Sequence, residues 1–187
     1  MKKILLFVLF GCSFCSANAQ RYEYADSLKS QVASHPEVKN LLPLSYFYLE
    51  IDLDSSMKYA QHAYEVALNN KSENHEAWSL SLIGAILWRG GNTDQALRSL
   101  LQSLKIFERL NDSLGLSIAY INLGALYAGQ NDPGGALSYL FNSLKTTPVR
   151  KVPSNPVELK PNFQRSLAYG LIGNIYLNQN NLDSALY

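Results

Sequence analysis

The sequence predicts an all-α protein, an α-solenoid of stacked antiparallel helical hairpins. The main support is an internal repeat, because three segments align without gaps, each beginning with Gly and ending with Ala-Leu: residues 84–97, 124–137 and 173–186. Their first residues are separated by 40 and then 49 positions, a spacing typical of stacked supersecondary units. A unit of this size cannot bury its apolar face alone, so neighbouring units are expected to share one continuous core.

Within each repeat, the residue pattern predicts two helices joined by a short polar turn. In the second unit, apolar residues recur at helical spacing on both sides of the turn at residues 92–94: Trp78, Leu82, Ile83, Ile86 and Leu87, then Leu97, Leu100, Leu101 and Leu104. Gly costs about 1 kcal/mol against Ala inside a helix, so a Gly repeated at one position indicates that two helices approach closely. Small residues occupy both sides of this predicted contact: Gly84, Gly124 and Gly173, then Ala96, Ala136 and Ala185.

The chain divides into four predicted units, preceded by a leading helix at residues 20–36. The units span about 37–72, 73–112, 113–148 and 162–187. The first unit is a fainter copy, in which Pro43 is expected to delay or kink the first helix. Residues 149–161 form a Pro-rich linker, either a tolerated surface insertion or a functional loop. Tyr187 stops the fourth unit early in its second helix, which indicates a fragment of a longer protein or a truncated gene product.

Residues 1–19 are predicted to be a secretory signal peptide. Two lysines precede an unbroken apolar run at residues 4–10, and a small-x-small pattern places cleavage before Gln20. Residues 9–12 resemble a lipobox, so the alternatives are a lipoprotein modified at Cys12 and a buried N-terminal helix. After cleavage before Gln20 the chain has no cysteine and therefore no disulfide. The predicted location is the periplasm or cell envelope.

No motif predicts an active site, a metal site or a cofactor. His75 and Glu76 begin a zinc-protease HExxH pattern, but Ser79 stands where the second His is required. Residues 52–63 begin like a calcium loop and lack its Gly and its final Glu. The net charge is +1 and no cluster of Lys and Arg indicates a nucleic-acid site. The sequence therefore predicts a non-enzymatic protein with no catalytic residue, no cofactor and no nucleic-acid partner.

The repeat resembles the tetratricopeptide repeat family. The third unit carries the family pattern at the family spacing: Tyr120, Leu123, Gly124, Tyr127, Ala136, Leu140 and Pro148. The resemblance covers residues 37–187 and implies a right-handed superhelix. The units are about 40 residues long, whereas the family's are about 34, so the helices are expected to be longer. Extended units of this kind are similar to those of repeat-type bacterial regulators and envelope sensor kinases.

The resemblance also implies where a partner binds, on the first helix of each unit. The candidate groove residues carried over by position are Trp78, Ser81, Ala85, Ile118, Ile121, Asn122, Ala125, Gly170 and Asn174, and Arg89, beside Trp88, is added as a charged contact at the rim. Asn122 and Asn174 fit the polar part of the carboxylate clamp of some relatives, but its cationic members are missing. For Trp78 and Trp88 the sequence leaves two alternatives open, core packing between helices or an exposed aromatic pair.

The expected function is an exported scaffold that binds a protein or peptide partner in the cell envelope. The alternative is the N-terminal extracytoplasmic sensor region of a longer signalling protein, a histidine kinase or a transcriptional regulator. In that case the partner includes another part of the same longer chain. Contact with a membrane is expected only through a lipid on Cys12 or through a segment downstream of Tyr187.

Overall fold

The computed structural model describes residues 20–147 and 163–179, and every regular element in this part of the chain is an α-helix. The eight helices are α1 (20–34), α2 (Val38–Tyr48), α3 (Leu53–Asn69), α4 (Glu73–Arg89), α5 (Thr93–Leu110), α6 (Ser113–Gly129), α7 (Pro133–Thr146) and α8 (Phe163–Asn178). The all-α prediction is confirmed. The predicted signal peptide, the lipidation site at Cys12, the Pro-rich linker and the end of the fourth unit lie outside the described residues.

The described residues form two compact units, which divide between Val66 and Ala67. In the first, α1 packs on α2 through a small buried cluster of Ala25, Leu28, Leu44 and Phe47. Pro43 lies inside α2, which nevertheless begins five residues earlier and continues to Tyr48.

Two buried serines join α2 to α3 by reciprocal side-chain to backbone hydrogen bonds. The Ser45 hydroxyl donates to the Ser56 carbonyl at 2.8 Å, and the Ser56 hydroxyl donates to the Ser45 carbonyl at 2.9 Å. Side chains this small allow the two helices to approach closely, and the hydrogen bonds satisfy hydroxyl groups that burial would otherwise leave unpaired.

The second compact unit, which begins at Ala67, is a stack of helical hairpins. Helix α4 pairs with α5, and α6 pairs with α7. Successive hairpins contact each other through α5 with α6 and α7 with α8, and the first helices α4, α6 and α8 contact one another in order. This arrangement is an α-solenoid, as the repeat predicted.

The repeated glycines lie where the two helices of a hairpin approach most closely. A Cβ added to Gly84 would lie 2.7 Å from Cγ of Leu100 and 3.2 Å from the Ala96 carbonyl oxygen. A Cβ added to Gly124 would lie 2.7 Å from Cγ of Leu140, with nearly the same surroundings. The predicted close approach is therefore confirmed in both hairpins, and a leucine side chain fills the space above each glycine.

Four turns of one design, spaced 20 residues apart, join the consecutive helices from α3 to α7. Each turn contains one residue with positive φ: Lys71, Gly91, Asn111 and Asn131. In each, the next residue donates its backbone N–H to the carbonyl five residues earlier, as from Asn92 to Leu87 at 2.8 Å. This is the Schellman arrangement that commonly ends a helix, and Gly and Asn adopt its left-handed conformation most readily. The same turn serves within hairpins and between them, which explains the regular 40-residue unit.

Candidate functional site

The surface on which the sequence placed a partner is formed by the first helices α4, α6 and α8. These helices lie side by side in the second unit because α5 and α7 pack on their other side. Backbone N–H groups at the start of α6 are held by the Asp112 carboxylate, which accepts from Leu114 at 3.1 Å and from Gly115 at 3.0 Å. The same carboxylate accepts from the Asn74 amide at 2.9 Å, which ties α6 to the start of α4.

Three of the candidate groove residues pack inside the stack. Ser81 is 0% exposed and Ile121 is 3% exposed. Trp78 places its ring edge-on against the buried ring of Phe107 in α5, with the ring centres 5.2 Å apart. Ser81 and Ile121 are therefore buried in the stack, whereas Trp78 is half-buried, and the binding role of these positions stays a prediction. For Trp78, packing within its hairpin is observed. For Ile121, the packing partners include Ala168 and Ile172 of α8.

The other candidate positions remain accessible. Ala85, Ile118, Asn122 and Ala125 are half-buried, and Arg89, Gly170 and Asn174 are exposed. The structure joins two candidates directly, because the Asn122 amide donates to the Ser81 hydroxyl at 3.2 Å across the α4–α6 contact. Gly170 has no atom within 4 Å of the place where a Cβ would lie. The accessible candidates combine small side chains with amides, which leaves room for a partner's backbone.

A hollow that the sequence reasoning did not identify lies between α6 and α8, near their C-terminal ends. Its volume is about 110 Å³. Residues from both hairpins line it: Ala128, Asn131, Pro133, Ile175, Asn178 and Gln179. Ala128 also packs against the buried cluster formed by α6, α7 and α8.

Trp88 lies at the C-terminal end of α4 and packs against the next hairpin. Its Cζ2 and Nε1 atoms lie 3.2 Å from the place where a Cβ on Gly129 would be. Of the two alternatives for the tryptophans, the structure thus shows packing for Trp88, which is half-buried between the α4–α5 hairpin and the α6–α7 hairpin.

Charged groups in the described residues form no cluster that could hold a metal ion. Within residues 20–147 and 163–179, no group of three or more His, Asp or Glu side chains could hold a metal ion. Every buried side-chain nitrogen or oxygen in this part of the chain has a hydrogen-bond partner. Burial raises the pKa of Tyr139, whose ring stacks on Tyr127, and burial together with the nearby Glu108 carboxylate raises the pKa of Tyr120.

No helix among the described residues has the length and apolar character that crossing a membrane requires.

Comparisons with known proteins identify the repeat. A profile described as tetratricopeptide repeat matches residues 48–109 and 75–140. The crystal structure of BtubC (BKLC) from P. vanneervenii is similar, with a TM-score of 0.61 and 17% identity. The match covers 80% of this chain and 59% of the BtubC chain, so this chain spans less than two thirds of that protein.

The crystal structure of MamA is similar with a TM-score of 0.50 and 16% identity, covering 87% of this chain and 80% of MamA. At these identities the likeness shows the fold alone. A search of curated protein sequences finds no match.

Proposed function

The chain belongs to the tetratricopeptide repeat family, whose repeats form protein-interaction scaffolds, and we propose that it binds a peptide or protein on the surface of α4, α6 and α8. The observation that carries this proposal is the character of that surface. Small residues and amides are accessible along it, with Ala85, Ala125 and Gly170 beside Asn122 and Asn174. Small side chains allow a peptide backbone to approach, and amides can donate to and accept from its peptide groups.

The charge of this surface favours an extended or helical segment of little net charge. Its one cationic candidate is Arg89, at the C-terminal end of α4. A single cation at the rim contributes to orientation and association rate more than to affinity. Recognition of a terminal carboxylate through several cations is therefore not part of this proposal. The proposed binding uses the partner's backbone and its apolar side chains.

Binding can be tested with peptides selected from a displayed random library against the full chain, with affinities measured by isothermal titration calorimetry. Gly170→Arg places a long side chain on α8 where the glycine has open space, so the fold is expected to tolerate it. Ser138→Arg is the matched control, because Ser138 is exposed on α7, outside the proposed surface. We expect Gly170→Arg to weaken binding about tenfold or more and Ser138→Arg to change it less than about twofold. Equal affinities in both variants would remove this surface as the binding site.

We also propose that the scaffold is exported and works in the periplasm or cell envelope. The support is the charged, apolar and small-residue pattern of residues 1–19. Mass spectrometry of the protein made in a Gram-negative host tests it. A mature chain that begins at Gln20 is the expected result, and a lipid-modified N-terminal Cys12 would support the lipoprotein alternative instead. A cytoplasmic protein retaining Lys2 and Lys3 would refute export.

A further inference from the structure

The hollow between α6 and α8 occupies a position that is filled elsewhere in the same molecule. In repeat register, Ala128 of α6 corresponds to Trp88 of α4, 40 residues earlier. Asn178 of α8 corresponds to Gly129 of α6, 49 residues earlier. Between α4 and α6 the Trp88 indole lies against Gly129, and a Cβ placed on this glycine would be 3.2 Å from the ring. Between α6 and α8 the corresponding side chains line an open volume of about 110 Å³.

The space between α6 and α8 is open because the large and the small side chain of the α4–α6 junction are replaced there by residues of different size. Ala128 has no atom beyond Cβ, so the whole ring that Trp88 supplies is missing there. Asn178 is larger than the glycine it replaces, but its amide is smaller than an indole, so it fills only part of the space. The repeat thus shows what this position accepts, because the chain itself places an aromatic ring there one unit earlier.

The chemistry of the lining selects an aromatic side chain with a polar group. Ala128, Pro133 and Ile175 provide apolar surface, and the Ile175 side chain is almost fully buried. Amides of Asn131, Asn178 and Gln179 provide carbonyl oxygens and N–H groups at the edge. Tryptophan and tyrosine combine a flat apolar body with one N–H or O–H that needs an acceptor. The volume is somewhat below the roughly 150 Å³ of a closed cavity that binds benzene, but this hollow is open, so a ring can enter by one edge.

We propose that this hollow receives a tryptophan or tyrosine side chain of a peptide bound along α6 and α8. The proposal rests on the proposed function, since the peptide is the partner of the same helical surface, and it defines which side chain anchors that peptide. The hollow is open to this side chain because Ala128 stands at the repeat position where the preceding repeat has Trp88. The α4–α6 junction is not expected to bind an aromatic side chain, because Trp88 already occupies it.

The test uses N-acetyl-L-tryptophanamide as the probe and the backbone amide NMR signals of the full chain as the readout. We expect saturable shifts at Ala128, Ile175 and Asn178, and none at the α4–α6 junction. Ala128→Trp should fill the hollow from within and weaken probe binding at least tenfold. Gln102→Trp adds the same ring at an exposed position of α5 and should leave probe binding unchanged. If Ala128→Trp does not fold, Ala128→Leu fills the hollow with a smaller side chain and should weaken binding in the same direction.

The outcomes separate this inference from the proposed function. A probe that causes no saturable shifts at the hollow, or that binds Ala128→Trp as tightly as the unaltered chain, overturns the inference. A selected peptide that depends on Gly170 but tolerates Ala128→Trp also overturns it, while the proposed binding surface stands. Probe binding at the hollow that is lost in Ala128→Trp supports the hollow as an aromatic-binding site, and a failure of peptide selection then counts against the proposed function and not against the hollow.

Discussion

Replacing Gly124 by Ala tests whether close approach of α6 and α7 is the reason for the repeated glycine. The added methyl group would lie 2.7 Å from Cγ and 2.8 Å from Cδ2 of Leu140. A relaxed contact between two carbon atoms is about 3.5–4.0 Å, so Leu140 must shift by roughly 1 Å. Leu140 is fully buried, so its side chain has little space to move into. The added methyl group would also lie 3.3 Å from the Ala136 carbonyl oxygen, which limits how far α6 can shift instead.

The expected magnitude follows from two opposing effects. Overpacking of a filled core costs about 1–3 kcal/mol. Ala is favoured over Gly inside a helix by about 1 kcal/mol, which partly offsets that cost. Gly124→Ala should therefore lower the free energy of unfolding by about 0–2 kcal/mol. Gly170→Ala is the matched control, since this helical glycine has nothing within 4 Å of its added-Cβ position. It should gain up to about 1 kcal/mol from helix propensity alone.

The informative quantity is the difference between the two variants, because the helix-propensity effect is the same in both. We expect Gly124→Ala to be less stable than Gly170→Ala by about 1–3 kcal/mol in urea unfolding followed by far-UV circular dichroism. A double variant, Gly124→Ala with Leu140→Ala, should be more stable than the sum of the single changes predicts, because the clash is relieved. Equal unfolding midpoints for the two single variants would refute the packing explanation.

Three further predictions concern the second unit. Asp112→Ala removes the acceptor for two backbone N–H groups at the start of α6 and should cost about 1 kcal/mol in urea unfolding, whereas an unchanged midpoint would contradict the capping role. Ser117→Ala removes the buried hydroxyl that bonds to the Ser143 hydroxyl at 2.9 Å and should lower the free energy of unfolding by about 1–3 kcal/mol. The control is the exposed change Ser113→Ala, which should alter the free energy of unfolding by no more than about 0.5 kcal/mol. Because burial raises the pKa of Tyr139, its neutral form is favoured by folding, so its contribution to stability is complete below about pH 10 and is lost as the pH rises through the folded-state pKa. Thermal scans between about pH 9 and pH 11 should show a falling midpoint, with a smaller fall in Tyr139→Phe; equal falls in both chains would exclude this group as the cause.

The position of the hairpins could be predicted from the sequence because the determining contacts are local. Gly84 and Ala96 lie 12 residues apart, on the two helices of one hairpin, and a short turn leaves those helices little freedom except to pair. The turns were predicted less completely. Gly91, Asn111 and Asn131 are residue types that favour the left-handed conformation, whereas Lys71 is not, and only the fold shows that it has the same role.

Which positions of the proposed binding surface are accessible could be predicted only in part, because the contacts that bury a residue there come from another hairpin. Ser81 was assigned to the groove by its position in the repeat, but its hydroxyl is buried and accepts a hydrogen bond from Asn122, 41 residues later. The hollow beside Ala128 was missed for the same reason, although the sequence contained a signal. Aligned repeats place Ala128 where the preceding unit has Trp88.

Local features of the sequence were sufficient to predict a series of helical hairpins, with small residues where α4 contacts α5 and α6 contacts α7. Helix periodicity, turn residues and repeated glycines act over one unit, so they can be read without knowledge of the rest of the fold. Packing between hairpins determines which faces of α4, α6 and α8 remain accessible and where space is left between neighbouring hairpins. Those features depend on how side chains from residues 40 or more positions apart fill a shared space, as Trp88 does against Gly129 and Ala128 does not beside Asn178.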